Sequence, residues 1–127
     1  MFIRWKKRKK LVSEGGPKEE TNVLYPIVCM CERVNGKPRQ KFVAHLGHIA
    51  EFYFNYNGSL CDFWHDVRIR LSALKVDDQT RDKLIGQIAK VVPYKTEDEW
   101  RQDKNENAAI YANWVESQQK KRELSSH

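Results

Sequence analysis

No apolar run in the sequence approaches the roughly 18 residues that a membrane-spanning helix needs. Cysteine is scarce. Three residues, an odd number, give no secreted disulfide framework, so a reducing cytoplasm is the expected compartment. The C-x2-C pair that builds a zinc knuckle is absent. So are the glycine-rich phosphate loops G-x-x-x-x-G-K-[ST] and G-x-G-x-x-G, the nucleophile elbow G-x-S-x-G and the zinc-protease pair H-E-x-x-H. The amino terminus is basic but lacks the apolar stretch of a signal peptide. Acid is missing from the first ten residues, MFIRWKKRKK, which hold Arg4, Lys6, Lys7, Arg8, Lys9 and Lys10.

That last absence locates the charge. The chain has 127 residues, 23 Lys and Arg, 17 Asp and Glu, and a formal net charge of +6. Outside the first ten residues the bases equal the acids, so the excess is one local feature. Four Trp, five Tyr and five Phe supply a core, which argues against disorder. The length fits one domain able to bury about two-thirds of its unfolded surface.

The hydrophobic period changes along the chain. Phe2 to Val12 reads as a strand, and Ser13 to Thr21 as a loop punctuated by Gly15, Gly16 and Pro17. Asn22 to Val34 is rich in β-formers, with Pro26 calling for an edge position, a bulge or a late strand start. Asn35-Gly36-Lys37-Pro38 is a turn. Alternation from Arg39 to His48 places Gln40, Phe42, Ala44 and Leu46 on one face and Arg39, Lys41, Val43 and His45 on the other. Residues 49–57 fit either a further strand or an irregular connector. Ser59 is a candidate cap for a helix burying Leu60, Phe63, Trp64, Val67, Leu71 and Leu74. Asp77 or Asp78 caps a second helix, which Pro93 stops. Thr96 and Glu99 form a capping box for a third, from Glu97 towards Gln118, burying some of Trp100, Ile110, Tyr111, Trp114 and Val115. The expected architecture is α+β: a small N-terminal three-stranded antiparallel sheet followed by three helices. It forms a single domain over 1–120, with a basic sheet segment 1–49, a helical segment 59–120 and a flexible tail 121–127.

Two basic groups suit a polyanion: Arg4 to Lys10, and Arg33, Lys37, Arg39 and Lys41 around the turn. If the first strand joins the same sheet, the groups can share a surface for four to six phosphates. Trp5 and Tyr25 offer base stacking, and Arg39 suits a guanine edge or a phosphate. The competing reading is a solubilising terminus and Lys-guarded edge strands. The expected partner is DNA, RNA or a nucleoprotein complex, and an acidic protein surface is the alternative.

Other clusters have structural explanations. Cys29-x-Cys31, His45, His48, and the Cys61/His65 pair lack metal-ligand spacing, and no metal or other cofactor is expected. Cys61 near a helix start can gain thiolate character. Asp62 and Asp66 read as an exposed charge row near Arg70, and Asp77, Asp78 and Asp82 as helix-start acids. No catalytic residue is assigned. Trp100, Tyr111 and Trp114 suit packing on the domain or, alternatively, a partner or dimer surface.

The stretch from Arg33 to Ile49, RVNGKPRQKFVAHLGHI, resembles R-x-[ND]-G-K-x-R-Q-x-x-[VI]-x-x-L-G-x-I, a segment near the N-terminus of certain bacterial insertion-sequence transposases. Phe63-Trp64-x-x-Val67, Leu71, Asp78-x-x-x-Asp82 and Val91-Val92-Pro93-x-x-Thr96 look like a family of short bacterial proteins sharing that segment. The resemblance covers roughly residues 2–100 and carries onto Arg33, Asn35, Gly36, Lys37, Arg39, Gln40, Leu46 and Gly47. It implies a mobile-element or phage setting and nucleic-acid-linked biology. It does not imply transposase catalysis, whose acidic triad lies in a long ribonuclease-H-like domain that follows the segment in those enzymes. His45, His48 and the aromatic EFYFNYN depart from the pattern. The expected function is a non-enzymatic nucleic-acid-binding accessory protein. The alternative is a protein-binding regulator or inhibitor of a nucleic-acid enzyme, in the manner of anti-CRISPR proteins.

Overall fold

A computed structural model describes residues 1–13 and 15–125, with the side chains of 123–125 outside the description. The α+β architecture is as expected. Strands β1 (Phe2–Val12), β2 (Glu19–Val34), β3 (Lys37–His45) and β4 (Ile49–Ala50) precede helices α1 (Asn57–Ala73), α2 (Asp78–Ala89) and α3 (Glu97–Ser125). The segment 49–57 resolves into β4 and a 3-10 turn, Glu51–Asn55.

All pairings are antiparallel, and β2 is the common partner. On one edge β1 runs from Phe2 opposite Cys29 to Val12 opposite Glu19. The other edge is shared: β3 pairs with Ile27 to Val34, and β4 with Val23 and Leu24. Pro26 falls between β3 and β4, where the ladder asks for no N–H. Its carbonyl still accepts from the Leu46 N–H at 3.0 Å. A proline thus sits inside a central strand at no hydrogen-bond cost. Asn35 (φ 56°) and Gly36 (φ 77°) make the left-handed β2–β3 turn that the sequence requires.

The ladder shifts by one residue between Val28 and Cys29, so Val43 is an extra residue in β3. This corrects the expected alternation. Phe42 lies opposite Cys29, but Ala44 lies opposite Val28, so the two take opposite faces. His45 joins Phe42, with ring centroids 4.9 Å apart.

The core forms on one face. Val28 and Leu46 pack with Leu60, Phe63, Trp64, Val67 and Leu71 of α1, with Leu84 and Ile88 of α2, and with Val92. Ile3 and Trp5 pack against this cluster from β1. Trp64 is fully buried, and its indole N–H donates to the Pro93 carbonyl at 2.7 Å. That bond makes its burial affordable. The free edge of β1 is covered where Gln87 of α2 accepts from the Ile3 N–H at 2.8 Å.

Helix ends follow the sequence with two exceptions. Asp77 accepts from the Thr80 N–H at 2.7 Å. Thr96 and Glu99 exchange side-chain bonds to each other's backbone N–H at 3.1 and 2.6 Å. Helix α1 starts at Asn57, two residues ahead of the expected Ser59 cap, and has no side-chain cap. Helix α3 continues past Gln118 to Ser125, where a frayed tail was expected. A Lys120–Glu116 pair and helix-forming Gln, Lys and Arg residues support the extension. Residues 126–127 of that tail lie outside the described residues.

The Leu46-Gly47 pair is structural. Leu46 is buried, and Gly47 adopts φ +115° under α1. A Cβ there would stand 2.9 Å from the Asp66 carboxylate. Gly47→Ala therefore combines backbone strain with a clash. It is expected to destabilise the fold by about 1–3 kcal/mol in urea denaturation. Ala in an Asp66→Ala background should recover only part of the loss, because the strain remains.

Candidate nucleic-acid interface

Strand alternation sorts the bases of β1. Arg4, Lys6, Arg8 and Lys10 lie opposite Ile27, Tyr25, Val23 and Thr21 and share the face opposite to that of Ile3 and Trp5. They are about 7 Å apart along the strand. All four are exposed, and none is in an ion pair among the described residues. Lys7 and Lys9 point to the other face, and Lys9 pairs with Glu20 at 3.4 Å.

The second basic group divides. Lys37, Arg39 and Lys41 lie opposite Val34, Glu32 and Met30, which puts them on the face of Lys7 and Lys9. Only Arg33 shares the face of Arg4. The expected common surface is corrected accordingly. The two groups join one sheet, but an odd–even mismatch in register separates all but Arg33. Residues 31–40 are exposed throughout, so the β2–β3 tip projects beyond β1 as a two-stranded arm.

Between the bases the same face carries Tyr25, Ile27, Cys29, Cys31, Gln40, Phe42 and His45. A groove of about 410 Å³ is lined by Arg4, Trp5, Lys6, Ile27, Cys29, Gln40 and Phe42. Phe42 is 54% exposed. Tyr25 lies between the Arg8 guanidinium, 5.9 Å from its ring centre, and His48, stacked at 5.5 Å. Phe42, which sequence reasoning did not single out for binding, is the open aromatic of this face. The bulge turns it there, and no sequence signal announced the bulge. Trp5 belongs to the opposite face and packs against the core, so it is not placed to stack beside Tyr25 as expected, and Phe42 is the ring exposed on that face.

The aromatic 3-10 turn closes one end of the face. Phe52 donates its N–H to Thr21 Oγ1 at 3.0 Å, and Phe52, Tyr53 and Tyr56 pack ring against ring. A second cavity of about 500 Å³ lies there, with Lys10, Tyr25, His48, Tyr53, Asp62 and Asp66 in its lining.

The remaining chemistry-bearing side chains serve the fold. His65 shares its Nδ1 with Glu97 at 2.9 Å and stacks on Trp100. Arg68 bonds to Glu97 and to the Lys95 carbonyl. Cys61 is buried, and burial followed by the nearby Asp103 carboxylate pushes its thiol up rather than towards a thiolate. The thiolate character that a helix start can give is thus opposed at Cys61. No cluster of three or more His, Cys, Asp or Glu suited to a metal occurs among the described residues.

Comparison with protein-family models, with curated proteins and with solved structures yields no match. The face is therefore read from its own chemistry.

The assignment of the two aromatics has a stability signature. Trp5→Ala removes a core-packing indole and is expected to cost about 2–4 kcal/mol in urea denaturation. Phe42→Ala removes an exposed ring and should stay within about 0.5 kcal/mol.

Proposed function

We propose that this protein is a small non-catalytic nucleic-acid-binding accessory protein whose sheet face holds a single strand. One observation carries the reading: four bases in file with no ion pair among the described residues, beside the exposed ring of Phe42 and the half-buried Ile27 and Tyr25. A basic row that tracks phosphates, next to rings that accept bases, is how proteins bind single strands without reading their sequence. A duplex has its bases stacked inside and would leave the stripe unused. β1 is an edge strand, where Lys discourages strand pairing, but the run of five bases from Lys6 to Lys10 with no interleaved acid is more than edge protection needs. The mobile-element or phage setting implied by the Arg33 to Ile49 segment belongs with this reading.

Fluorescence anisotropy with short DNA and RNA oligonucleotides at several salt concentrations tests it. Single strands should bind more tightly than duplexes of the same length. The slope of log K against log salt should be about −3, matching four phosphate contacts. Phe42→Ala should cost about 1–3 kcal/mol of affinity through one lost stacking contact. Absence of binding at low salt would sink the proposal.

A further inference from the structure

Helix α3 is 29 residues long, about 43 Å. Its first turns are tied to the body. Trp100 stacks on His65 with centroids 3.7 Å apart, and its indole donates to Asp62 at 3.1 Å. Lys104 reaches the same carboxylate at 2.9 Å. From Asn105 to Arg122 every side chain is exposed except Val115 and Gln118, which are half-buried. Ile110 is 66%, Tyr111 66% and Trp114 57% exposed, and the Tyr111 and Trp114 rings stack 6.1 Å apart. Of the five residues from which the buried face was expected, Trp100 packs on the body and Val115 is half-buried, while Ile110, Tyr111 and Trp114 stay exposed. An apolar patch in the middle of a projecting helix calls for a cover.

The charge pattern says what the cover is. Residues 97–106 hold five acids and two bases, residues 107–115 hold no charge, and residues 116–122 hold one acid and three bases. The helix is therefore acidic at one end, apolar in the middle and basic at the other. A parallel copy would set like charges side by side at both ends. An antiparallel copy sets unlike charges together, and opposed helix dipoles agree with it. We infer that α3 pairs antiparallel with α3 of a second copy, Tyr111 of each meeting Trp114 of the other, so that the protein is a homodimer.

The levels match. Pairing about the midpoint of Tyr111 and Trp114 brings Lys120, Lys121 and Arg122 level with residues 103–105 of the second copy. That stretch is Asp103, Lys104 and Asn105; Asp62 neutralises Lys104, and Asp103 and Glu106 leave the junction net acidic. The hydrogen bond to Asp62 leads in holding the Lys104 ammonium above its usual range, and carboxylates of the same junction add to the rise at Cys61. The exposed parts of Trp114, Tyr111, Ile110 and Val115 in two copies come to at most about 1,000 Å², the size of a weak interface. The dimer is thus concentration-dependent.

Sedimentation velocity of the full chain from low to high micromolar concentration reads this directly. A monomer–dimer equilibrium is expected. Trp114→Glu and Tyr111→Arg should each leave a monomer with an unchanged far-ultraviolet spectrum, since both residues are exposed. Lys120→Glu with Lys121→Glu should weaken the dimer tenfold or more at low salt and less at high salt. Nitroxides on Gln119→Cys, in a Cys31→Ser background, should lie about 20 Å apart along the helix axis. A monomer at every concentration, a dimer indifferent to both aromatic variants, or labels side by side would overturn the inference.

Discussion

The register of β1 on β2 is the constraint on which the rest depends. Trp5 lies opposite Pro26, and from that pair outward every second side chain of β1 takes the same face. Ile3 and Trp5 enter the core, and Arg4, Lys6, Arg8 and Lys10 leave it. A slip of one residue would bury arginine and expose tryptophan, so apolar burial fixes the base row as firmly as it fixes the core. The proline contributes by having no N–H to give. The β3–β4 edge can break only where the ladder needs none, and it breaks at Pro26.

Charge is treated differently by the two halves of the molecule. On the helices, Arg68, Arg70, Arg81, Arg101, Lys104 and Lys120 all meet carboxylates. These mostly exposed pairs add little stability, but they neutralise the helical half locally. On the sheet, Lys9 with Glu20 is the one ion pair among the described residues. The unmatched bases remain where an extended polyanion can reach them. If α3 pairs as inferred, two such faces are carried by one particle, and a strand long enough to span both would bind with higher avidity than to either alone.

Much of the fold was legible. The turn at Asn35-Gly36, the Asp77 cap and the Thr96–Glu99 capping box each rest on local chemistry, and each appears where its residues are. The location of the charge excess was legible too, because it is a count. The sharing of faces was not. It depends on whether odd positions of one strand meet odd or even positions of the next, and on an extra residue at Val43 whose neighbours give no warning. Phe42 was therefore missed as the exposed ring of the base-row face, and Trp5 was placed there instead. The third helix misled for a related reason. An apolar stripe says that a face will be covered, but not whether the cover lies in the same chain.

The most direct measurement compares the two faces at equal charge. One variant replaces Arg4, Lys6, Arg8 and Lys10 with Gln. The other replaces Lys7, Lys37, Arg39 and Lys41, four bases of the opposite face. Single-strand affinity is measured for both across a range of salt. The account predicts that the first variant loses most of its affinity and most of its salt dependence, while the second stays close to the parent protein. Equal losses in the two variants would mean that net charge, and not the face set by the Trp5–Pro26 register, governs binding, and would contradict it.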